Sequence, residues 1–462
     1  MSRGILASQS AGAPSLMPAS HELPDPVLVG LDISQSEIAA CLLLADGQTV
    51  DRWTETNNQP GAKAIAERLV DLAKKHGFSR VRIGIEATNL YWWHLAHFLK
   101  ETPLLTELTP EVYLLNPRLV SGLKKAYSDH GKTDRIDAFF IAERLRIGRL
   151  PAPFEFDLLY APLQRITRFR FHLAKTLARE KNYFLTFLFL KFSAFGQVEP
   201  FGDPFGATSC ALLEEFTTEE LIQTPLEELA NYLDEKGRGQ FTDPSTLART
   251  LQRAARDSYR LDRVMAEPVT LILGTTMATI KTLQRQLTEI DKTIARELEA
   301  LPLERRIIRS VPGLGPVWTA GLVAEIGDVH RLDNEASIAK LAGLVWHPHQ
   351  SGSFRAEDTT LAKTGNTYLR YYLVEAANSV RQHCAEYQRY YQAKLVQSPK
   401  HAHKRALVLT ARKLVRLIDT LLRAGMVYQP PEARQGQEEA RTLSQKARPG
   451  TLRRTRHGTA AG

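Results

Sequence analysis

A mixed α/β domain followed by an all-α remainder is the fold class this sequence predicts. Three observations carry it. Short β-rich runs alternate with helical stretches over residues 27–155, nearly everything from about 160 to 300 has the apolar period of a helix, and residues 301–425 are again mainly helical around a Pro-Gly-x-Gly turn. A chain of 462 residues is long enough for two or three such units, each with its own core.

The elements follow in order. Residues 1–26 are small, polar and proline-bearing and lack the apolar centre of a signal peptide, so a disordered leader is expected. "PVLVGLDISQSEIAACLLLADGQTVDRWTET" (26–56) alternates β-rich runs around Asp46 and Gly47, a strong hairpin signal. The helical "PGAKAIAERLVDLAKKHG" comes next, then a strand, "RVRIGIEA", that runs into the aromatic helix "NLYWWHLAHFLKE". A further strand, "EVYLLNP", leads to "HGKTDRIDAFFIAERLR" (130–146), a helix opening on two carboxylates. That order predicts a mixed sheet flanked by helices over 27–155.

Residues 156–300 read as a helical and coiled-coil region. Its clearest apolar stripe is Ile280, Leu283, Leu287, Ile290 and Ile294, which is either a packed face or a protomer-pairing one. Residues 196–248, rich in Gly, Pro and Thr between short helices, read as an insertion. In 301–425, "RRIIRSVPGLGPVWTAGLVAEIGD" (305–328) is a helix-hairpin-helix-like element. Such a turn is an ordinary tight connection or one whose backbone N–H groups meet a phosphate. Residues 426–462 are basic and rich in Pro, Gln, Arg and Gly, a disordered tail in expectation.

Composition narrows the function. With 43% hydrophobic and 24% charged residues the chain reads as soluble and globular, and no apolar stretch reaches the ~18 residues of a membrane span. Cys41, Cys210 and Cys384 are far apart and odd in number, which suits a reducing cytoplasm and excludes a disulfide framework. Net charge is +9, and between Leu361 and Arg423 twelve Lys or Arg face three acids, so one segment carries an excess as large as the whole chain's. Such a field favours a polyanion, nucleic acid above all.

The candidate chemistry lies in carboxylates. Asp32 and Glu86 end predicted strands, where ligands gather in sheets of this kind, and Asp134 and Asp137 share one face of a helix start. Acidic residues also suit the first turn of a helix on dipole grounds alone. Four carboxylates converging on one sheet edge would be hard oxygen ligands suited to Mg2+, and paired metals can clamp the entering and leaving oxygens of a phosphodiester.

"VGLDIS", "GIEATNLYWW" and "NPRLVSGLKKAYSDHGKTDRIDA" resemble the DEDD-type (Piv/MooV-like) insertion-sequence transposases. The resemblance implies an RNase H-like (RuvC-like) domain for roughly residues 27–150, with Asp32, Glu86, Asp134 and Asp137 as its catalytic metal ligands and Lys132 and Arg135 beside the nucleic-acid backbone. "VPGLGPVWTAGLVAEIGD", "LAGLVWHPHQSGS" and "KTGNTYLRYYLVEAA" are similar to the C-terminal transposase domain of that family. On that match Ser351 is the nucleophile of a covalent 5′-phosphoserine intermediate. A serine hydroxyl needs a base, a metal or stabilised charge on the phosphate, and Arg355, Lys363 and Arg370 are the nearby candidates. The basic helices bearing Lys404, Arg405, Arg412 and Lys413 would hold DNA or RNA.

The implied activity is Mg2+-dependent transposition or site-specific recombination between donor and target DNA. A structured guide RNA (bridge RNA) from the same element is implied for some relatives, as is a homo-oligomer, a dimer or tetramer. Gln35 stands where the family has Lys, and Trp346 where it has Pro, which affects loop geometry rather than any proposed catalytic residue. "GKT" (131–133) lacks the upstream glycine of a phosphate-binding loop, with Ala126 in that place, and "HPH" (347–349) and "HAH" (401–403) lack further spaced metal ligands. The competing readings are a RuvC-like junction nuclease, which leaves Ser351 without a task, and a non-catalytic nucleic-acid-binding assembly protein.

Overall fold

The computed structural model describes residues 26–127, 134–155, 157–346, 350–351, 354–355, 361–362, 364–398 and 400–430; of Asp134, Arg135, Arg263, Gln350, Ser351, Phe354 and Arg355 it describes the backbone alone. The expected leader, most of the expected tail, Lys132, Lys363 and the motifs at 131–133 and 347–349 lie outside the described residues. The chain forms two compact units, residues 1–157 and 158–462.

In the first unit, strands β1 (Val27–Ile33), β2 (Glu37–Leu43), β3 (Thr49–Thr56), β4 (Val81–Glu86) and β5 (Glu111–Leu115) form one sheet in the order β3-β2-β1-β4-β5. The first three are antiparallel neighbours, and β4 and β5 run parallel to β1. The β2–β3 hairpin turns at Gly47, whose φ of +94° only glycine adopts without strain.

Alternation decides which residues face which layer. Val27, Val29 and Leu31, with Val81, Ile83 and Ile85, pack under helices α1 (Gln59–His76) and α2 (Trp93–Glu101). Leu28, Ala39, Cys41, Tyr113 and Leu115 face the other way, where α3 (Pro117–Ala126) and α4 (Asp134–Ile147) cover the sheet through Val120, Ala138, Ile141, Ala142 and Leu145. Asn58 and Asn116 cap α1 and α3, each with proline at the start of its helix. Burial pushes the thiol of Cys41 up, with Arg52 pulling the other way, so this cysteine behaves as a core residue rather than a nucleophile.

Among its described residues, the second unit is helical apart from one short hairpin. α5 (Ala161–Lys191) and α11 (Arg263–Glu297) pack against each other. Between them come α6 (Phe195–Val198), α7 (Ala207–Glu215), α8 (Thr218–Gln223), α9 (Leu226–Gly237) and α10 (Pro244–Asp257), whose buried residues share a core with Phe184 and Leu188 of α5 and Val269, Leu273, Met277 and Ile280 of α11. The entry and exit of this inserted segment are bonded to each other: Tyr259 N donates to Ser193 Oγ at 3.1 Å, and Ala194 N donates to Ser258 Oγ at 3.0 Å. The Ile280-to-Ile294 stripe is a packed face within the chain, with Ile280 in the insertion core and Ile294 in the C-terminal one.

That C-terminal core gathers α12 (Pro302–Arg309), α13 (Pro316–Ile326), α14 (Glu335–Ala342), α15 (Thr367–His383), α16 (Ala385–Val396) and α17 (Ala402–Ala424). The chain stays packed beyond residue 426, since Tyr428 is buried and its N–H donates to Ser310 Oγ at 2.7 Å. Arg168 of α5 makes two bonds, 2.7 and 2.9 Å, to the buried carboxylate of Glu325 on α13. Burial opposes the charge on Arg168, and the bonds to Glu325 outweigh it, holding the guanidinium above its ordinary value.

Candidate active site

Asp32 and Glu86 are brought together by strand pairing. β1 and β4 are parallel with Leu31 opposite Ile85, so the next pair along the register is Asp32 and Glu86, both at C-terminal strand ends. Both have the parity of Gly30 and Gly84, so both face the α4 layer. Each is half-buried, and Thr88 Oγ1 donates to Glu86 Oε1 at 3.0 Å.

The glycines allow α4 to come down onto the strands. A Cβ on Gly30 would lie 2.0 Å from the Ala138 carbonyl oxygen and 2.4 Å from Ala142 N, and one on Gly84 would meet Ile141 and Leu145 side chains near 3.0 Å. The direction of α4 follows from its other end, where Arg146 Nε lies 3.4 Å from the Cβ position of Gly47, in the turn beside the N-terminal end of β1. The N-terminus of α4 therefore lies at the Asp32 end. Asp134 precedes Ala138 by about 6 Å of helix. Asp32 follows Gly30 by about 6.6 Å of strand. The two backbones reach the same level.

Asp137 lies on the turn that Asp134 begins, and its carboxylate is held by Lys124 of α3, Nζ to Oδ1 2.7 Å. Sequence reasoning missed this lysine. Its only signal was the Lys124–Lys125 pair ahead of the carboxylates, which reads as a solvated helix end. Among the described residues, no group of three or more His, Cys, Asp or Glu side chains is placed to hold a metal ion. The donors nonetheless have the chemistry of a hard-cation site: two carboxylates on adjacent strand ends of one face, with the start of α4 at their level.

Ser351 belongs to β6 (Gln350–Ser351), which pairs antiparallel with β7 (Phe354–Arg355), Ser351 opposite Phe354. The Trp346–Leu361 bridge and a 2.8 Å bond from Ala362 N to Val345 O close the base of the same hairpin. Its root is built from the motif residues that follow. Asn366 caps α15 at Tyr368 N and Leu369 N, and its Nδ2 donates to Glu325 Oε2 at 2.6 Å. Arg370, expected near the phosphate, donates from Nη1 to the Ala342 carbonyl at the end of α14, 3.0 Å. That bond ties α15 to the end of α14.

Gly313 of the helix-hairpin-helix-like turn has φ +91°, and Ser379 Oγ of α15 donates to its carbonyl at 2.7 Å. A Cβ there would lie 2.9 Å from Ser379 O, so close packing accounts for this glycine without a phosphate. Of the basic residues on α17, Lys404 and Arg405 are exposed at its start. Arg412 lies 3.8 Å from Glu335, and Lys413 pairs with Glu386 at 2.6 Å. His403 of the "HAH" motif meets Tyr391 OH through Nδ1 at 2.7 Å.

A sheet ordered 3-2-1-4-5, with three antiparallel strands, two further parallel ones and acidic strand ends beneath a helix, is an RNase H-like domain, here followed by a helical C-terminal part. Family comparison agrees. A DEDD-type IS110 model described as "Transposase" matches residues 29–192, and the model "Transposase IS116/IS110/IS902 family" matches residues 305–392. The chain belongs to the IS116/IS110/IS902 family of transposases. It is 25% identical over 409 residues to "Insertion element IS116 uncharacterized 44.8 kDa protein" of Streptomyces clavuligerus, covering 88% of this chain and 97% of that one. It is also 27% identical to "Probable family 20 transposase" of Pseudomonas aeruginosa, over 42% of this chain and 59% of that one. The "Pilin gene-inverting protein" of Moraxella bovis is 30% identical, over 25% of this chain and 32% of its own length. No helix among the described residues is long and apolar enough to cross a membrane.

Proposed function

We propose that this transposase moves an insertion sequence by cutting and rejoining DNA strands through a serine–DNA ester. The observation that carries the reading is the pairing of Asp32 with Glu86 at adjacent strand ends, on the face and at the level where α4 begins with Asp134 and Asp137. Asp32, Glu86, Asp134 and Asp137 would hold Mg2+, which when bound supplies charge to the scissile phosphate and orients it. Lys124 holds the Asp137 carboxylate in place. Arg135 and Lys132 would stand near the backbone of the same strand.

In the serine step, the Ser351 hydroxyl oxygen forms a bond to phosphorus and the bond from phosphorus to the 3′ oxygen breaks. The phosphate stays on the 5′ end as the serine ester, the serine proton passes to solvent or a neighbouring base, and the 3′ oxygen leaves as a hydroxyl. A 3′ hydroxyl from the second DNA duplex then reverses the chemistry and frees the serine. Arg355 and Lys363 are the cations proposed to steady the phosphate. A structured RNA from the same element is proposed to choose the sites by base pairing, with the protein holding backbone and shape, and the chain is proposed to act as a homo-oligomer in the bacterial cytoplasm.

The test is a denaturing gel of end-labelled element ends, followed by protease digestion and mass mapping of the DNA-linked peptide. Wild type is expected to give an adduct on Ser351, and Ser351→Ala none, with nucleic-acid binding nearly intact. Cleavage by Ser351→Ala at the wild-type rate, with no adduct ever trapped, would make the protein a junction nuclease instead.

Electrostatic binding is expected to depend on α17. Neutralising Lys404 and Arg405 should lower the slope of log affinity against log salt by about 0.7–0.9 for each phosphate that no longer meets a cation. Neutralising Arg412 and Lys413 should lower it less, because Glu335 and Glu386 already offset their charge. Equal slopes for both pairs would move the binding surface off the start of α17.

A further inference from the structure

Beyond the strand ends of the first unit lies a groove that the proposed chemistry leaves unused. It has a volume of about 910 Å³ and opens between the start of α1, the turn after β1 and the turn that leads from β4 into α2. Asn57 fastens these segments together: its Nδ2 donates to the Ser34 carbonyl at 2.8 Å and to the Tyr91 carbonyl at 3.3 Å. The turn after β4 is held internally as well, with Trp92 Nε1 donating to the Asn89 carbonyl and Trp93 N to the Leu90 carbonyl, both at 3.1 Å. It nonetheless holds two large apolar side chains in the open. Leu90 is 54% exposed and Tyr91 42%, and both line the groove.

From this groove we infer that the first unit holds one nucleobase of the DNA strand being cut, turned out of its stack close to the scissile phosphate. The inference rests on the reading that Asp32 and Glu86 hold that phosphate. Gln35 follows Asp32 by three residues and Tyr91 follows Glu86 by five, so the segments that carry the carboxylates continue directly into the groove wall. The carboxylates face α4, whereas the groove lies on the layer of α1 and α2. A base that leaves the stack swings away from its backbone, and here it crosses the sheet edge from one layer to the other.

The lining has the chemistry of a base's partner and not of a backbone's. Among the described residues, no lysine or arginine lines the groove, and Glu101 does, which disfavours a phosphate there. Trp93 is half-buried against the core, its ring 5.4 Å from that of Trp92, and Trp92 in turn meets Phe154 edge-on at 5.7 Å. Trp93, backed in this way, and Tyr91 supply aromatic faces on which any base can stack. Gln35, Gln59 and His94 are exposed members of the same lining. A side-chain amide presents a donor and an acceptor side by side, the complement of the Watson–Crick edge that a turned-out base leaves unpaired. The volume falls within the ~300–1,000 Å³ of pockets that enclose small ligands.

The test is photocrosslinking of the full chain with element-end DNA and RNA transcribed from the element, in the absence of Mg2+. 5-Iododeoxyuridine replaces each DNA base in turn around the cleaved position, and 5-iodouridine is placed in the RNA in a parallel series. A DNA base within about two nucleotides of that position is expected to crosslink to a peptide containing residues 90–98. At that base, an abasic nucleotide and Tyr91→Ala are each expected to weaken DNA binding about 10-fold. Both together should also cost about 10-fold rather than about 100-fold, because each removes the same stacking contact. Tyr91→Phe keeps the ring and is expected to bind as wild type. The Tyr91 side chain is exposed and its bond from Asn57 uses the backbone carbonyl, so Tyr91→Ala is expected to fold normally. Neither readout needs cleavage, so failure of the catalytic reading, seen as an Asp32→Asn chain that cleaves at the wild-type rate, is distinct from failure here. Crosslinks to residues 90–98 from RNA alone or from no DNA base, or losses that multiply to about 100-fold, would overturn the inference.

Discussion

Asp32→Asn and Glu86→Gln are each expected to slow DNA strand cleavage by about 10³-fold or more, from the loss of roughly 4 kcal/mol of charge stabilisation at the phosphate. Both substitutions keep the shape of the side chain and remove its charge. Thr88 can still donate to the amide oxygen at position 86, so the local hydrogen bond survives. Neither carboxylate lies in a hydrophobic core, and the melting temperature should stay within about 2 °C of wild type, the range of a surface change. The measurement is single-turnover cleavage of a labelled element end over a Mg2+ titration, with a melt on the same preparation. An Asp32→Asn protein that cleaves at the wild-type rate throughout would move the metal site away from this sheet edge.

Gly30→Val is expected to destabilise the first unit by about 3 kcal/mol or more and lower its melting temperature by about 10 °C. The added Cβ would stand 2.0 Å from a backbone carbonyl and 2.4 Å from a backbone nitrogen of α4, and neither can turn aside as a side chain does. Gly84→Ala is the contrast. Its Cβ meets the side chains of Leu145 and Ile141 at 3.0 and 3.1 Å, which can yield by small rotations, so a cost near 1 kcal/mol is expected. Cleavage should fall in Gly30→Val by more than the unfolded fraction explains, because any lift of α4 carries Asp134 and Asp137 with it. A Gly30→Val protein that melts with wild type would mean that α4 does not rest on β1.

The carboxylate positions were legible because a strand's alternation and its end are both written locally. "VGLDIS" and "GIEAT" each place an acid two residues past a glycine, and strand pairing does the rest. Lys124 was not legible, since its contact with Asp137 spans two helices and leaves no periodic trace. The bond from Arg370 to the Ala342 carbonyl was not legible either, since it joins two helices through a loop that carries no periodic pattern. Gly313 reads as a tight turn in the sequence, and the backbone of α15 packed against it gives a reason for glycine there that no local pattern shows.

The bonds joining Ser193 to Tyr259 and Ala194 to Ser258 make the inserted helices a cassette with a clamped mouth. Chain closure at that mouth is settled by four neighbouring residues, and the entropy of any loop beyond it grows only with the logarithm of its length. Lengthening or shortening the segment therefore transmits little to α5 and α11.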